Sequence, residues 1–170
     1  DAARKRKSDY VLANRPAALE QLRHELKLLV KRAEKKGAKP VVRLNGGSDL
    51  DWFELYKEFT MVQFYEYSRD VARVFRLQQL PNVHVTYSVN EKTTDRILRA
   101  IMGAGINVAV VFNVKRKKPL PTEYMGLPVL DGDIHDYRFL DPKGGHVVGL
   151  RYKSNKKRAD QTKGNFVKAA

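Results

Sequence analysis

The densest set of groups capable of chemistry is Asp131-Gly132-Asp133-Ile134-His135-Asp136. Carboxylates and an imidazole suit a hard divalent cation, and bound Mg²⁺ or Mn²⁺ polarises phosphoryl oxygens and activates water. Asp131, Asp133 and His135 are therefore candidate metal ligands. With Asp49 they are a candidate catalytic set for metal-dependent phosphodiester cleavage. The same residues also suit a polar loop in which Asp side chains cap backbone N–H groups and His135 pairs with a carboxylate, with Arg138 and Asp141 as an internal ion pair. A second set is Asn45-Gly46-Gly47-Ser48-Asp49. Gly46, Gly47 and Ser48 would place backbone N–H groups where a phosphate could sit. They equally suit a strand-to-helix turn with Ser48 or Asp49 as N-cap. No GxGxxG fingerprint or Walker loop surrounds them, the four histidines lack HExxH spacing, and GxSxG is absent.

The charge is uneven. The chain has 170 residues, with 33 Lys+Arg against 19 Asp+Glu and a net charge of +14. Residues 1–39 hold 12 basic and 5 acidic side chains, residues 143–170 hold 8 and 1, and the middle holds 13 of each. Basic ends on a neutral core point to a polyanion, since Lys and Arg displace counterions from phosphate backbones. The expected contacts are Arg4, Lys5, Arg6 and Lys7, then Lys27 and Lys31 on the first long helix, Lys115, Arg116, Lys117 and Lys118 in a proline-marked loop, and Lys156, Lys157 and Arg158 near the C-terminus. Charged tails that merely solubilise are the plainer alternative. Phe64, Tyr65, Tyr67 and Tyr87 could stack bases, but rings on covered strands are core by default.

There are no cysteines, which excludes disulfides, Cys-ligated zinc, thiol catalysis and Cys-held clusters. That fits a reducing, cytoplasmic setting. No apolar run reaches the roughly 18 residues a bilayer span needs, and no apolar stretch follows the basic start, so neither a membrane partner nor a secretory signal is expected.

The elements that must position these groups follow from periodicity. Residues 1–15 read as a loosely ordered basic segment. Leu19, Leu22, Leu26, Leu29, Val30 and Ala33 repeat at helical spacing over 17–36, with Pro16 opening and Gly37 closing. Strands are predicted at 40–44, 61–67, 83–89 and 107–114, with helices at 50–59, 69–80 and 92–103 between them. Short strands follow at 128–130 and 146–150, and from 153 a polar tail. The division is a basic segment 1–15, one α/β domain 16–153 and a basic tail 154–170. Strands alternating with helices imply a mostly parallel sheet, either a partial barrel or a small open sheet. Ligands of such folds gather at the carboxyl ends of the strands, here the polar 45–49, Ser68, 88–91, Asn113 and 131–133.

The ordered run VVRLNGGSDLDW, VQFYEYS, VHVTYS, GINVAVVF, LPVLDGDIHDYRFLDP and VVGLRYK resembles the phage and plasmid gene product 88-like family, also thought of as radical-SAM-barrel-like. The resemblance covers roughly 40–153. It implies a partial parallel α/β barrel and assigns no activity. Members often carry an N-terminal group of cysteines. This chain has none, so neither an iron–sulfur cluster nor S-adenosylmethionine is carried over.

The expected function is nucleic-acid binding, DNA or RNA, by a phage- or plasmid-type accessory protein using its basic ends and its polar strand-end face. The alternatives are a Mg²⁺- or Mn²⁺-dependent phosphodiesterase or nuclease built on 131–135, and an adaptor or inhibitor docking on an acidic protein.

Overall fold

The opening residues are rich in Ala, Lys and Arg, which favour helix, and Asn14 with Pro16 interrupts them. The computed structural model describes residues 2–153 and 167–169. In it the opening is helix α1 (Ala2–Ala13), followed at once by α2 (Arg15–Lys35) with Pro16 in its first turn. The expectation of a loose segment over 1–15 is therefore corrected. Its residues are helical by propensity, although Tyr10 and Leu12 are exposed and no apolar stripe announces the helix. Helix α2 buries Ala18, Leu19, Leu26 and Ala33. It ends as predicted at Gly37, which sits at φ +59. The Gly37 and Ala38 N–H groups donate to Glu34 and Ala33 carbonyls, a Schellman closure that needs the left-handed residue.

The rest alternates: β1 (Val41–Val42), α3 (Phe53–Glu58), β2 (Gln63–Ser68), α4 (Val71–Gln78), β3 (Val83–Ser88), α5 (Asp95–Gly103), β4 (Val108–Phe112), β5 (Glu123–Tyr124), β6 (Leu127–Asp131), a 3₁₀ turn (Arg138–Leu140), β7 (Val147–Arg151) and β8 (Val167–Lys168). The sheet order is β1-β2-β3-β4-β7-β6-β5, with β8 also on β4. Among the described residues every pairing is parallel except the β5–β6 hairpin. It is an open sheet with two edges, so of the two expected architectures the open one is correct. The hairpin is unheralded in the pattern. Met125 and Gly126 turn it at φ +54 and +81, a two-residue turn with both central residues left-handed.

The order gives the sheet two different faces. From β1 to β4 the chain advances one strand at a time, whereas β6 to β7 steps back. Right-handed crossovers therefore put α3–α5 on one face and the 132–146 segment on the other. Phe64, Glu66 and Ser68 of β2 lie beside Val83, Val85 and Tyr87 of β3 on the helix face. There Phe64 meets Tyr56 of α3 at 4.7 Å between rings. Tyr65 and Tyr67 lie beside His84 and Thr86 on the other face, where the Tyr65 and Phe139 rings are 5.4 Å apart. We call 132–146 the cap.

Strand β8 corrects the expectation of a tail from 153 onward. The β3–β4 ladder stops at Ser88–Ala109, and β8 takes the freed flank of β4 at Val111 and Phe112.

Candidate functional site

The carboxyl ends of β1, β2, β3, β6 and β7 open together on a cleft of about 800 Å³. Its first wall is the Gly46–Asp49 turn, held from beneath by Asn45. Asn45 is 2% exposed. Its Oδ1 accepts from the Ser48 hydroxyl at 2.9 Å, the Leu50 N–H at 3.1 Å and the Trp52 indole at 3.2 Å. Its amide donates to the Leu50 carbonyl at 2.9 Å and to Glu66 at 2.8 Å. Glu66, 1% exposed, also accepts from the Tyr56 hydroxyl at 2.5 Å and from Arg73 at 2.9–3.0 Å. Arg73 completes the clamp by donating to the Asp49 and Leu50 carbonyls at 2.9 and 2.6 Å. A buried carboxylate with this many donors is fully compensated.

The turn is thus anchored at Asn45 and Leu50. Among the described residues the N–H groups of 46–49 have no acceptor. A Cβ added at Gly46 would meet nothing within 4 Å. Neither Ser48 nor Asp49 is a helix cap: α3 starts after Trp52, with Asp51 accepting from the Phe53 N–H at 3.0 Å. Asp49 instead lies 3.7 Å from Arg73 and 3.5 Å from the Ser68 hydroxyl.

The opposite wall comes from the cap and β7. Arg151 holds Asp131 in a two-point pair at 2.8 Å on each oxygen. It also holds Asp133 through its backbone N–H at 3.0 Å and its guanidinium at 3.1 Å. Lys153 adds a contact to Asp133 at 3.3 Å. The Arg151 bonds hold the Asp131 carboxyl below the usual carboxylate range. Burial pushes Asp133 up, but Arg151 and Lys153 outweigh it and its carboxyl is also lowered. His135 turns to neither carboxylate. Its Nδ1 lies 3.1 Å from Arg138, which also bonds the His135 carbonyl. Among the described residues no three His, Asp or Glu side chains converge as metal ligands. A cation at Asp131 and Asp133 would have to displace Arg151. Asp49, Asp133 and His135 do line one cleft, whereas Asp131 faces the next hollow.

That hollow, about 740 Å³, is lined by Arg116, Lys117, Arg151 and Lys153, and it shares Asp133 and Lys153 with the central cleft. On the other side a hollow of about 880 Å³ lies between α1, α2 and the turn, with Arg6 and Lys7 at its rim, and it shares Gly46, Gly47 and Ser48 with the cleft. Strands lie about 4.8 Å apart, so the ends of β1 to β7 span about 19 Å. The three hollows form one strip along the carboxyl edge of the sheet.

A family model described as gene product 88 matches residues 1–168. The chain belongs to the gene product 88 family. No curated protein and no solved structure matches it. Membership in this phage-type family agrees with the resemblance carried by residues 40–153, while the open sheet gives no support to a radical-SAM-type barrel. Among the described residues no helix is long and apolar enough to cross a membrane.

In this gene product 88 protein the expected basic contacts separate into groups. Arg6, Lys7, Arg116 and Lys117 line the strip. Arg4 and Lys5 lie in α1, with Lys5 paired to Asp9 at 3.1 Å. Lys27 and Lys31 are exposed on α2 and line none of the three hollows. Lys115 and Lys118 flank the strip in the loop that Lys117 turns at φ +68, where the Lys118 carbonyl accepts from Arg151 at 2.7 Å. Lys156, Lys157 and Arg158 lie outside the described residues. Sequence reasoning passed over Arg43, Arg69, Arg151 and Lys153, since single cations form no run. The signal that finds them is position: each falls at or just past the carboxyl end of β1, β2 or β7.

Proposed function

We propose that this protein binds nucleic acid through the phosphate backbone along the carboxyl edge of the sheet. The observation that carries this reading is the pairing state of the cations. Arg6, Lys7, Arg69, Arg116 and Lys117 lie along the strip with no carboxylate partner among the described residues. A cation already paired gives up its partner to take a phosphate. An unpaired one only releases solution counterions, which is the entropic source of polyanion affinity. The unassigned N–H groups of 46–49 add donors on the turn shared by the central cleft and the α1–α2 hollow, where a phosphate oxygen could be accepted.

Fluorescence anisotropy with labelled DNA and RNA across a salt series in EDTA tests the reading. Five phosphate contacts give a slope of log K on log salt of about −3.5 on a single strand and about −4.5 on a duplex. The pairs Arg6→Glu/Lys7→Glu and Arg116→Glu/Lys117→Glu should each weaken binding at least tenfold. Lys27→Glu/Lys31→Glu, an equal change of charge off the strip, should weaken it much less. Absence of binding at low salt, or equal losses in all three variants, would overturn the strip as the binding surface.

A further inference from the structure

We infer that the central cleft holds an unpaired base, so that the strip takes single-stranded nucleic acid with one nucleoside turned into the sheet's mouth. The inference rests on the nucleic-acid reading and adds to it which part of the polymer goes where. The cleft differs from the hollows beside it in charge. Two of its three cations are spent: Arg43 pairs with Asp136 at 2.6 Å and Lys153 with Asp133 at 3.3 Å, while Arg69 has no carboxylate partner among the described residues. Asp49, facing the same space, is 3.7 Å from Arg73. A phosphate entering here would meet three carboxylates, whereas the flanking hollows offer Arg6 and Lys7 on one side and Arg116 and Lys117 on the other. Phosphates belong over the flanking hollows and at exposed Arg69, and the cleft, whose three carboxylates balance its three cations, suits an uncharged, planar, polar-edged group.

The lining is built for such a group. The Arg43 guanidinium lies over the Tyr67 ring at 4.9 Å. Its salt bridge to Asp136 fixes it there, giving a flat platform of the kind on which bases stack. Around that platform stand the Asp136 carboxylate, with acceptor capacity beyond its one bond to Arg43, and the Ser88 hydroxyl, which has no hydrogen-bond partner among the described residues. These can read a base edge by accepting from an exocyclic amine and by donating to a ring nitrogen or carbonyl. The volume, about 800 Å³, lies within the roughly 300–1,000 Å³ of small-ligand sites. A base held in a duplex presents only its edge and cannot reach the platform without unstacking. The ligand class is therefore single-stranded, or a locally opened strand.

The decisive comparison uses two labelled single strands of equal length and charge, one ordinary and one abasic, with the wild-type chain and two variants. The variants are Tyr67→Leu, which removes the ring but adds no charge, and Arg43→Gln/Asp136→Asn, which removes the platform's other half at constant net charge. The wild type should bind the ordinary strand roughly five- to a hundredfold more tightly than the abasic one, the range that one stacked base supplies. Both variants should lose most of that ratio while keeping their affinity for the abasic strand. Equal affinity of the wild type for the two strands would overturn the inference and leave a phosphate-only strip. A ratio that survives in both variants would overturn it by placing the base elsewhere. Failure to bind either strand at low salt would instead overturn the nucleic-acid reading itself.

Discussion

Two buried charges sit on opposite faces of the same strands, and the molecule treats them differently. Glu66, under the helices, has donors from Asn45, Tyr56 and Arg73 on its two oxygens. Arg138, under the cap, is as deeply buried at 1% exposed. Yet among the described residues only its Nη2 is hydrogen-bonded, to His135. Its Nη1 lies 3.2 Å from Asp141 without hydrogen-bond geometry, and its Nε has no acceptor among those residues. His84 Nε2, Thr86 Oγ1 and His146 Nδ1 nearby are buried and have no partner among them either. Charges beneath regular elements meet partners whose positions repeat with the helix and strand periods. The cap has one turn of 3₁₀ helix and must satisfy its polar groups one by one. Buried polar groups left without partners cost stability, so the helix face anchors the site's first wall, and the cap should open at lower free energy.

Three measurements test this contrast. The largest effect is expected from Glu66→Ala, which strands Arg73 and the Asn45 amide in the core. Breaking a buried pair in this way costs about 3–5 kcal/mol, read by urea denaturation. A loss below about 1 kcal/mol would show that the network is not the anchor. Next comes pH. Burial, with Lys143 and Arg138 adding to it, lowers the His84 imidazole to about 4 from an ordinary 6.5. Between those values the unfolded chain binds a proton that the folded chain does not. Stability is whole above about pH 6.5, declines as pH falls through the window, and is lower by roughly 3 kcal/mol near pH 4. Burial also raises the Asp141 carboxyl, which opposes the decline at the acid end. Urea midpoints from pH 7 to pH 4 should show this slope, and His84→Gln should flatten it. The smallest effect is expected from the double variant Arg138→Met/Asp141→Asn, which replaces an ill-bonded buried pair with neutral groups. It should stay within about 1 kcal/mol of the parent or exceed it. A loss like that of Glu66→Ala would mean that the two faces are anchored alike.

Much of the fold could be read in advance because it is periodic. The apolar stripe of α2, its Gly37 closure and the strand–helix alternation from β1 to β4 all follow from spacing. Helix α1 was missed because propensity alone carries it, with Tyr10 and Leu12 left in solvent. Strand β8 was missed because two residues, Val167 and Lys168, give no alternation to detect. The Arg138–Asp141 pair was foreseeable. The gathering of 45–49, Ser68, Ser88, Asp133 and His135 around one cleft follows from the rule for parallel sheets. What spacing could not show is pairing. That Arg151 would occupy Asp131 and Asp133 depends on β6 lying beside β7, and the stretch between Asp131 and Arg151, 20 positions apart, carries no local sign of it.

The two ends of the sheet order have a consequence for self-association. The outermost strands, β1 and β5, are two residues each, and Pro40 stands directly before β1. A fibril or a strand-swapped dimer grows by adding backbone to a long, bare margin. Among the described residues the outermost strand at either margin offers a newcomer two residues of backbone to pair with, too little to nucleate a ladder. Crowding copies of the folded chain together therefore gives them little by which to join sheet to sheet.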